Sequence, residues 1–251
     1  MSLSKTDPEI AKLIALEEKR QREVLEMIPS ENYASRAVME ALGTVLTNKY
    51  SEGYPKKRYY QGNKIVDKVE ILALERAKKI FGVPYVNVQP HSGSPANLAV
   101  YLATCQPGKD KIMGLSLAFG GHLTPGQPQS ATGQFFKSVQ YELGRDGLLD
   151  FEAIEKQALA EKPKIIVCGF TAYPRIIDFA KFAKIADIVG AYLLADISHI
   201  TGLVIAGAHP SPVPYTHIIM TTTHKTLRGP RGAMIMGTEK GLAKDPGLGE
   251  K

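Results

Sequence analysis

Hydrophobic and polar positions follow two periods along this chain, one typical of helices and one typical of buried strands. Apolar residues that recur every three or four positions predict helices over residues 8–27, 36–46, 65–81, 94–103, 150–160 and 178–189. Short apolar runs predict strands over residues 85–89, 111–115, 138–142, 164–168, 191–196, 217–221 and 233–236. Strands that alternate with helices of this length form a mainly parallel sheet with helices on both faces. The chain is therefore predicted to be an α/β protein.

Two segments lie outside this alternation. The stretch YSEGYPKKRYYQGN, residues 50–63, follows neither period and is predicted to be a loop. The tail GTEKGLAKDPGLGEK, residues 237–251, stops without closing a domain. We therefore expect the chain to be part of a longer polypeptide.

The composition is that of a water-soluble globular protein, with 44% hydrophobic and 22% charged residues among 251. No apolar run approaches the roughly 20 residues of a membrane helix, and the N-terminus MSLSKTDPEI lacks the apolar core of a secretory signal. The two cysteines, Cys105 and Cys168, suit neither a disulfide framework nor a metal cluster. These features predict a cytoplasmic protein without a membrane segment or a bound metal.

The net charge of +6 raises the question of a nucleic-acid partner. The basic residues are scattered and often paired with acids, and the densest group, KKR at 56–58, is short and flanked by tyrosines. The sequence therefore does not predict nucleic-acid binding, and a basic enzyme with an anionic cofactor is the simpler interpretation.

Candidate chemistry lies where predicted strands end, because ligands of open parallel sheets bind beyond the carboxyl ends of the strands. Ser92, Gly93 and Ser94 stand between a strand and a helix, where free amides and hydroxyls can hold a phosphate. The same residue types more often form a plain helix cap. Asp196 ends another strand and can keep a pyridine nitrogen protonated, or can simply cap the next turn. His199 either supports that carboxylate or covers it.

Lys225 is the most unusual of these residues. It follows Thr221, Thr222, Thr223 and His224 at the end of a predicted strand. Partial burial beside cationic neighbours would lower its pKa, and a neutral amine is the nucleophile that a carbonyl cofactor requires. The alternative is a surface lysine in a loop. The polar residues and glycine around Lys225 make this the weaker interpretation.

Several long motifs carry a family resemblance. TTTHKTLRGPRGA at 221–233 resembles the segment around the cofactor lysine of serine hydroxymethyltransferases. Other segments similar to that family follow in the same order: SENYASRAVMEALGTVLTNKYSEGYPKKRYYQG, NVQPHSGSPAN, GGHLTPG, IIDFAKFAKIADIVGAYLLADISHITGLVIAG and HPSPVPY. The resemblance covers nearly the whole chain and implies a fold type I pyridoxal-phosphate enzyme, the aspartate-aminotransferase-like fold.

The resemblance also implies roles for individual residues. It makes Lys225 the lysine that holds pyridoxal 5'-phosphate as a Schiff base, Asp196 the partner of the pyridine nitrogen and His122 the histidine stacked on the ring. It places the remaining cofactor contacts at Ser92, Gly93, Ser94, Thr171, His199, His224 and Tyr50.

A second set of residues is implied to act on substrate across a dimer. The resemblance makes Tyr50, Glu52 and Tyr60 residues of the neighbouring subunit's site, with Glu52 as acid or base. From the residues alone, the tyrosines are equally well explained as interface packing. Substrate and folate positions are implied at Ser30, Tyr59, Leu117, Gly121 and Leu123. The implied reaction is serine–glycine interconversion by a homodimer with shared sites, with tetrahydrofolate as co-substrate.

The resemblance divides the chain into an N-terminal helix and dimer arm, residues 1–63, and a large cofactor domain, residues 64–251. Family members continue into a C-terminal domain that carries the arginine for the substrate carboxylate. We therefore expect a chain of this length to bind the cofactor but to turn over serine poorly. Gln61, Phe119, Pro125 and Ser198 stand where many relatives have Gly, His, His and Ala, and Phe119 and Pro125 flank His122.

Two alternatives stay open at this point. One is a folate-independent enzyme of the threonine-aldolase type, against which the GGHLT segment argues. The other is a non-catalytic homologue that acts as a regulator or RNA binder, or a truncated, non-catalytic fragment that binds the cofactor. A loss of catalytic activity is opposed by the residues that the chain retains, which are Lys225, Asp196, His122 and Glu52.

Overall fold

The computed structural model describes residues 2–125 and 130–250, which fall into two compact units divided between Tyr33 and Ala34. The first unit holds the helices α1 (Leu3–Thr6) and α2 (Pro8–Glu23). As predicted, Asp7 caps α2, its carboxylate accepting from the Ile10 amide at 3.0 Å, with proline in the first turn. Helix α2 ends at Glu23, before the predicted Met27, because Val24 is extended.

The second unit contains the remaining elements. Its helices are α3 (Arg36–Leu42), α4 (Lys64–Phe81), α5 (Gly93–Thr104), α6 (Ala131–Phe135), α7 (Phe151–Glu161), α8 (Phe179–Val189), α9 (Thr201–Ile205) and α10 (Glu239–Lys244), with 3-10 turns at Val45–Asn48 and Leu117–Phe119. Its strands are β1 (Gly53–Tyr54), β2 (Lys57–Arg58), β3 (Tyr85–Asn87), β4 (Lys111–Leu115), β5 (Lys137–Tyr141), β6 (Ile165–Cys168), β7 (Tyr192–Asp196), β8 (Ile218–Thr222) and β9 (Ala233–Gly237). Within residues 2–125 and 130–250, no helix combines the length and apolarity needed to cross a bilayer.

Seven strands form one sheet in the order β3-β9-β8-β7-β6-β4-β5. The five strands from β8 to β5 are parallel, and β9 and β3 join antiparallel at one side. Cys168 pairs with Ala195, and Asp196 pairs with Met220, so that β6, β7 and β8 end at the same edge. The predicted α/β fold with a mainly parallel, helix-covered sheet is confirmed.

Both faces of the sheet are buried. Ile166 and Leu193 belong to a core cluster covered by α7 and α8, whereas Ile165 and Leu194 belong to a second cluster covered by α5. These four side chains are fully buried, and each contributes about 1.5–3 kcal/mol to stability by leaving water. The two cores hold the central strands rigidly, which fixes the positions of the residues at their ends.

The segment 50–63 differs from its predicted loop. It contains the two-residue strands β1 and β2, paired antiparallel around a turn in which Lys56 has a φ of 66°. The loop prediction is wrong at this hairpin, because two-residue strands are too short to show an alternating pattern. The short helices α6, α9 and α10 were missed for the same reason, since five or six residues hold less than two helical turns.

Candidate active site

A pocket lies at the shared edge where β6, β7 and β8 end. This is the place where open parallel sheets bind ligands. Its lining comprises Gly93, His122, Gly169, Phe170, Thr171, Asp196, Ser198, His199, Met220, Thr222 and Lys225. The structure thus brings together six residues predicted from the sequence: Gly93, His122, Thr171, Asp196, His199 and Lys225.

Lys225 and His199 are in direct contact. The Lys225 Nζ lies 2.9 Å from the His199 Nε2. Burial lowers the pKa of Lys225 below its ordinary 10.5, against the opposing effect of the Asp196 charge. Burial, and then the charge of Lys225, lowers the pKa of His199 to about 4, so a neutral imidazole faces the amine. Burial, which the sequence suggested, causes the lysine shift, whereas the cationic neighbours that it also suggested are not among the causes. His199 supports Lys225, which neither sequence interpretation included.

Asp196 is held by three hydrogen bonds from two side chains and one amide. Its Oδ1 accepts from the Ser198 amide at 3.1 Å and from the Ser198 hydroxyl at 2.6 Å. Its Oδ2 accepts from the Asn97 Nδ2 at 3.0 Å, and the same amide lies 2.8 Å from the Thr124 Oγ1. Ser198 and Asn97 are buried. Both are site residues that the sequence analysis did not identify, and they fix the direction of the carboxylate.

A glycine turn positions His122 at the pocket. The Gly120 carbonyl accepts from the amides of Thr171 and Ala172 at 2.9 and 3.1 Å, which ties the GGHLT segment to the chain after β6. The imidazole Nδ1 lies 2.9 Å from the Thr124 hydroxyl. Burial lowers the pKa of His122, so its ring is neutral near pH 7.

Gly169 is required for the close packing of two strand ends. Its φ is 139°, and a Cβ there would lie 2.0 Å from the Asp196 carbonyl oxygen. A side chain at 169 would therefore displace Asp196. A glycine directly after a buried strand was the available sequence signal for this position.

The predicted phosphate cradle falls at the start of α5. Gly93 is its first residue, and a Cβ there would lie 2.8 Å from the Thr222 Cγ2. Ser92 is the N-cap residue, yet its side chain makes no capping hydrogen bond. The hydroxyl is thus not used as a plain cap, and the first-turn amides of a twelve-residue helix stand at the pocket edge.

Other predicted site residues do not line this pocket. Ser94 and His224 adjoin lining residues in the sequence. Leu117 and Leu123 are exposed, whereas Gly121 is buried. The side chains of Tyr50, Glu52, Tyr59 and Tyr60 are exposed on the segment 50–63. Ser30 belongs to the first unit. The roles given to these residues stay predictions.

Comparison with known proteins decides the family. The model of the serine hydroxymethyltransferase family matches residues 3–246. The chain belongs to the serine hydroxymethyltransferase family. Curated serine hydroxymethyltransferases similar to it come from Acidothermus cellulolyticus, 62% identical over 240 residues, and from Desulfotalea psychrophila, 57% identical over 235 residues. These alignments cover 95% and 94% of this chain but only 56% and 55% of the relatives. The chain therefore spans a little over half the length of the serine hydroxymethyltransferases that it matches, and the resemblance found in its motifs is confirmed.

The residues at the pocket fit the pyridoxal phosphate of this family. A half-buried amine suits its aldehyde, a fixed carboxylate suits its ring nitrogen, and the amides of α5 suit its phosphate. Lys225, Asp196 and Gly93 provide these three groups around one pocket.

Proposed function

We propose that the protein takes part in the serine hydroxymethyltransferase reaction, the interconversion of serine and glycine with tetrahydrofolate as one-carbon acceptor. The observation that carries this proposal is the shared pocket of Lys225 and Asp196 at the carboxyl ends of parallel strands, beside the start of α5. A lysine amine and a carboxylate around one pocket suit the two reactive ends of a pyridine aldehyde.

When bound, pyridoxal phosphate supplies an electron sink for the bond cleavage between the Cα and Cβ of serine. Lys225 provides an amine whose pKa burial lowers, and the His199 Nε2, 2.9 Å from the Lys225 Nζ, holds that amine in position. Asp196 would hold the proton on the ring nitrogen, and His122 would lie against the ring face. Each protein group thus orients the cofactor or holds a proton at a stated place.

The same proposal includes a second subunit. Tyr50, Glu52 and Tyr60 are exposed and lie outside the pocket lining, which supports their contribution to a neighbouring chain's site. Glu52 would then be the acid or base for the substrate hydroxyl or folate. Leu117, Gly121 and Leu123 would line the pterin end. This proposal also includes a homodimer with shared sites, an N-terminal arm over residues 1–63 and a cytoplasmic location.

Reductive trapping tests the cofactor site. The chain is incubated with pyridoxal phosphate, reduced with borohydride and digested, and the modified peptide is identified by mass spectrometry. We expect one labelled peptide that contains Lys225, and loss of that label in Lys225→Ala. Lys184→Ala, at an exposed lysine on α8, is the matched control and should keep the label. Labelling spread evenly over surface lysines would contradict the assignment.

Folate dependence tests the reaction. We expect the chain to form glycine from serine faster when tetrahydrofolate is present, at a rate that Lys225→Ala abolishes. Serine cleavage that is indifferent to tetrahydrofolate would favour an aldolase instead.

A further inference from the structure

We propose that Ser198 is a positioning residue for the cofactor ring, because its hydroxyl joins the Asp196 carboxylate to the strand that leads to Lys225. This inference rests on the proposed function, since it concerns the two groups that would hold opposite parts of the ring. Ser198 itself would act through Asp196.

The contacts of the Ser198 hydroxyl are all internal. The side chain is only 3% exposed. Its Oγ lies 2.6 Å from the Asp196 Oδ1 and accepts from the Thr222 amide at 3.0 Å. The Met220 sulfur, at 3.8 Å, is a weak alternative acceptor. One hydroxyl therefore connects the end of β7 with the end of β8.

The direction of the hydroxyl proton follows from these contacts. The Thr222 amide can only donate, so the Ser198 oxygen is the acceptor in that bond. The hydroxyl proton is then available to Asp196, and a bond to a carboxylate is stronger than one to sulfur. With the Ser198 amide as a second donor, Oδ1 has two partners that restrict rotation of the carboxylate.

This arrangement sets the position of one cofactor-binding group relative to another. Thr222 is three residues before Lys225, and its amide is held by the same hydroxyl that holds Asp196. Removing the hydroxyl would leave the Thr222 amide without that acceptor and would free Asp196 to turn. The ring nitrogen would then lose a well-aimed partner.

A purely structural role must be separated from this one. If Ser198 only satisfied the Thr222 amide, its removal would loosen the pocket for any ligand of the same shape. If it aims Asp196, its removal would matter only for ligands with a ring nitrogen. Pyridoxal phosphate and its 1-deaza analogue, in which C–H replaces that nitrogen, differ in this respect alone.

The experiment measures dissociation constants of both ligands by equilibrium titration. For Ser198→Ala we expect pyridoxal phosphate to bind about five- to tenfold more weakly, as for loss of one hydrogen bond of ordinary net strength. The deaza analogue should bind as it does to the unaltered chain. Thr216→Val is the matched control, because it removes another buried hydroxyl, which donates to the Pro212 carbonyl at the opposite end of β8. It should change neither dissociation constant. Equal loss for both ligands, or no loss, would overturn the inference.

Two further comparisons keep the outcomes distinct. If the alanine variant fails to fold, Ser198→Cys takes its place, because Cys fills the position with a weaker donor. It should weaken binding of pyridoxal phosphate selectively, to a smaller degree. If the unaltered chain does not bind pyridoxal phosphate at Lys225, the proposed function fails, and this inference with it. If it binds and prefers pyridoxal phosphate over the analogue, but Ser198→Ala keeps the full preference, only the role of Ser198 is refuted.

Discussion

At the scale of single residues, the burial of Lys225 has a measurable consequence. Burial disfavours the charged amine, so its pKa lies below the ordinary 10.5 and the neutral nucleophile forms at lower pH. We expect the rate of borohydride-trapped cofactor incorporation to rise with pH and to reach half its maximum clearly below pH 10.5. The matched reference is Nα-acetyl-lysine in the same buffers. Coincident profiles for the protein and the free amino acid would contradict a buried amine.

Some residues of the site could be predicted from the sequence, and others are apparent only in the structure. Lys225 and Asp196 could be predicted because each ends an apolar strand, where the chemistry of α/β proteins is found. Asn97 could not, because it lies inside an apolar helix and reaches Asp196 across 99 positions of sequence. His199 was identified, but its partner was not, since a short loop permits contact with either Asp196 or Lys225. Contacts between distant segments exist only once the sheet has set its strand order.

At the scale of elements, a buried ion-pair cluster holds the hairpin that carries Glu52. The Arg58 side chain is 4% exposed and pairs with Asp67 at 2.8 Å and Glu70 at 2.6 Å on α4. It also donates to the carbonyls of Ser51 and Gly53, the two neighbours of Glu52, at 2.6 Å. The cluster therefore fixes the backbone on both sides of that carboxylate.

Removing Arg58 tests this cluster. Arg58→Met leaves two carboxylates half-buried without their cation, and we expect a loss of about 3 kcal/mol in the free energy of unfolding. Lys111→Met breaks the more exposed pair with Glu161 and should cost less than about 1 kcal/mol. Urea unfolding of both variants measures the difference. Similar losses for the two would show that the Arg58 cluster is no more than a surface ion pair.

The elements themselves were predictable in proportion to their length. Strand β4 has the predicted bounds, and α4 and α8 start within one residue of theirs, because each holds at least one full period of apolar positions. The hairpin of β1 and β2 was not predictable, since its pairing depends on a turn at Lys56 and on the Arg58 cluster rather than on alternation.

At the scale of the whole molecule, buried neutral histidines make stability depend on pH. The His217 Nδ1 accepts from the Leu193 amide at 2.9 Å, and burial lowers the pKa of His217 to about 4 from 6.5. The unfolded chain binds the proton first, so this contribution is complete above pH 6.5, declines as the pH falls and is lost near pH 4. A shift of this size corresponds to about 3 kcal/mol, and solvent screening reduces it, so we expect urea unfolding to show a loss of about 2 kcal/mol across this window from His217.

His217→Asn keeps a side-chain acceptor that does not titrate and should reduce that loss. His91→Asn, at an exposed histidine, is the matched control and should leave the acid dependence unchanged. If His217→Asn follows the same acid profile as the unaltered chain, another group causes the decline.

Association of two chains is the last property that the molecule's surface suggests. Tyr50 and Tyr59 are 70% and 79% exposed, and the Tyr50 ring packs edge-on against Tyr60 at 6.0 Å, which presents a preformed aromatic surface. We expect sedimentation velocity to show a dimer at micromolar concentration. Tyr59→Glu should weaken it at least about tenfold, because a charge would be buried at the contact. Tyr215→Glu, at a tyrosine 39% exposed outside this segment, should not. A monomer at all concentrations, or equal effects of both variants, would contradict an interface at these tyrosines.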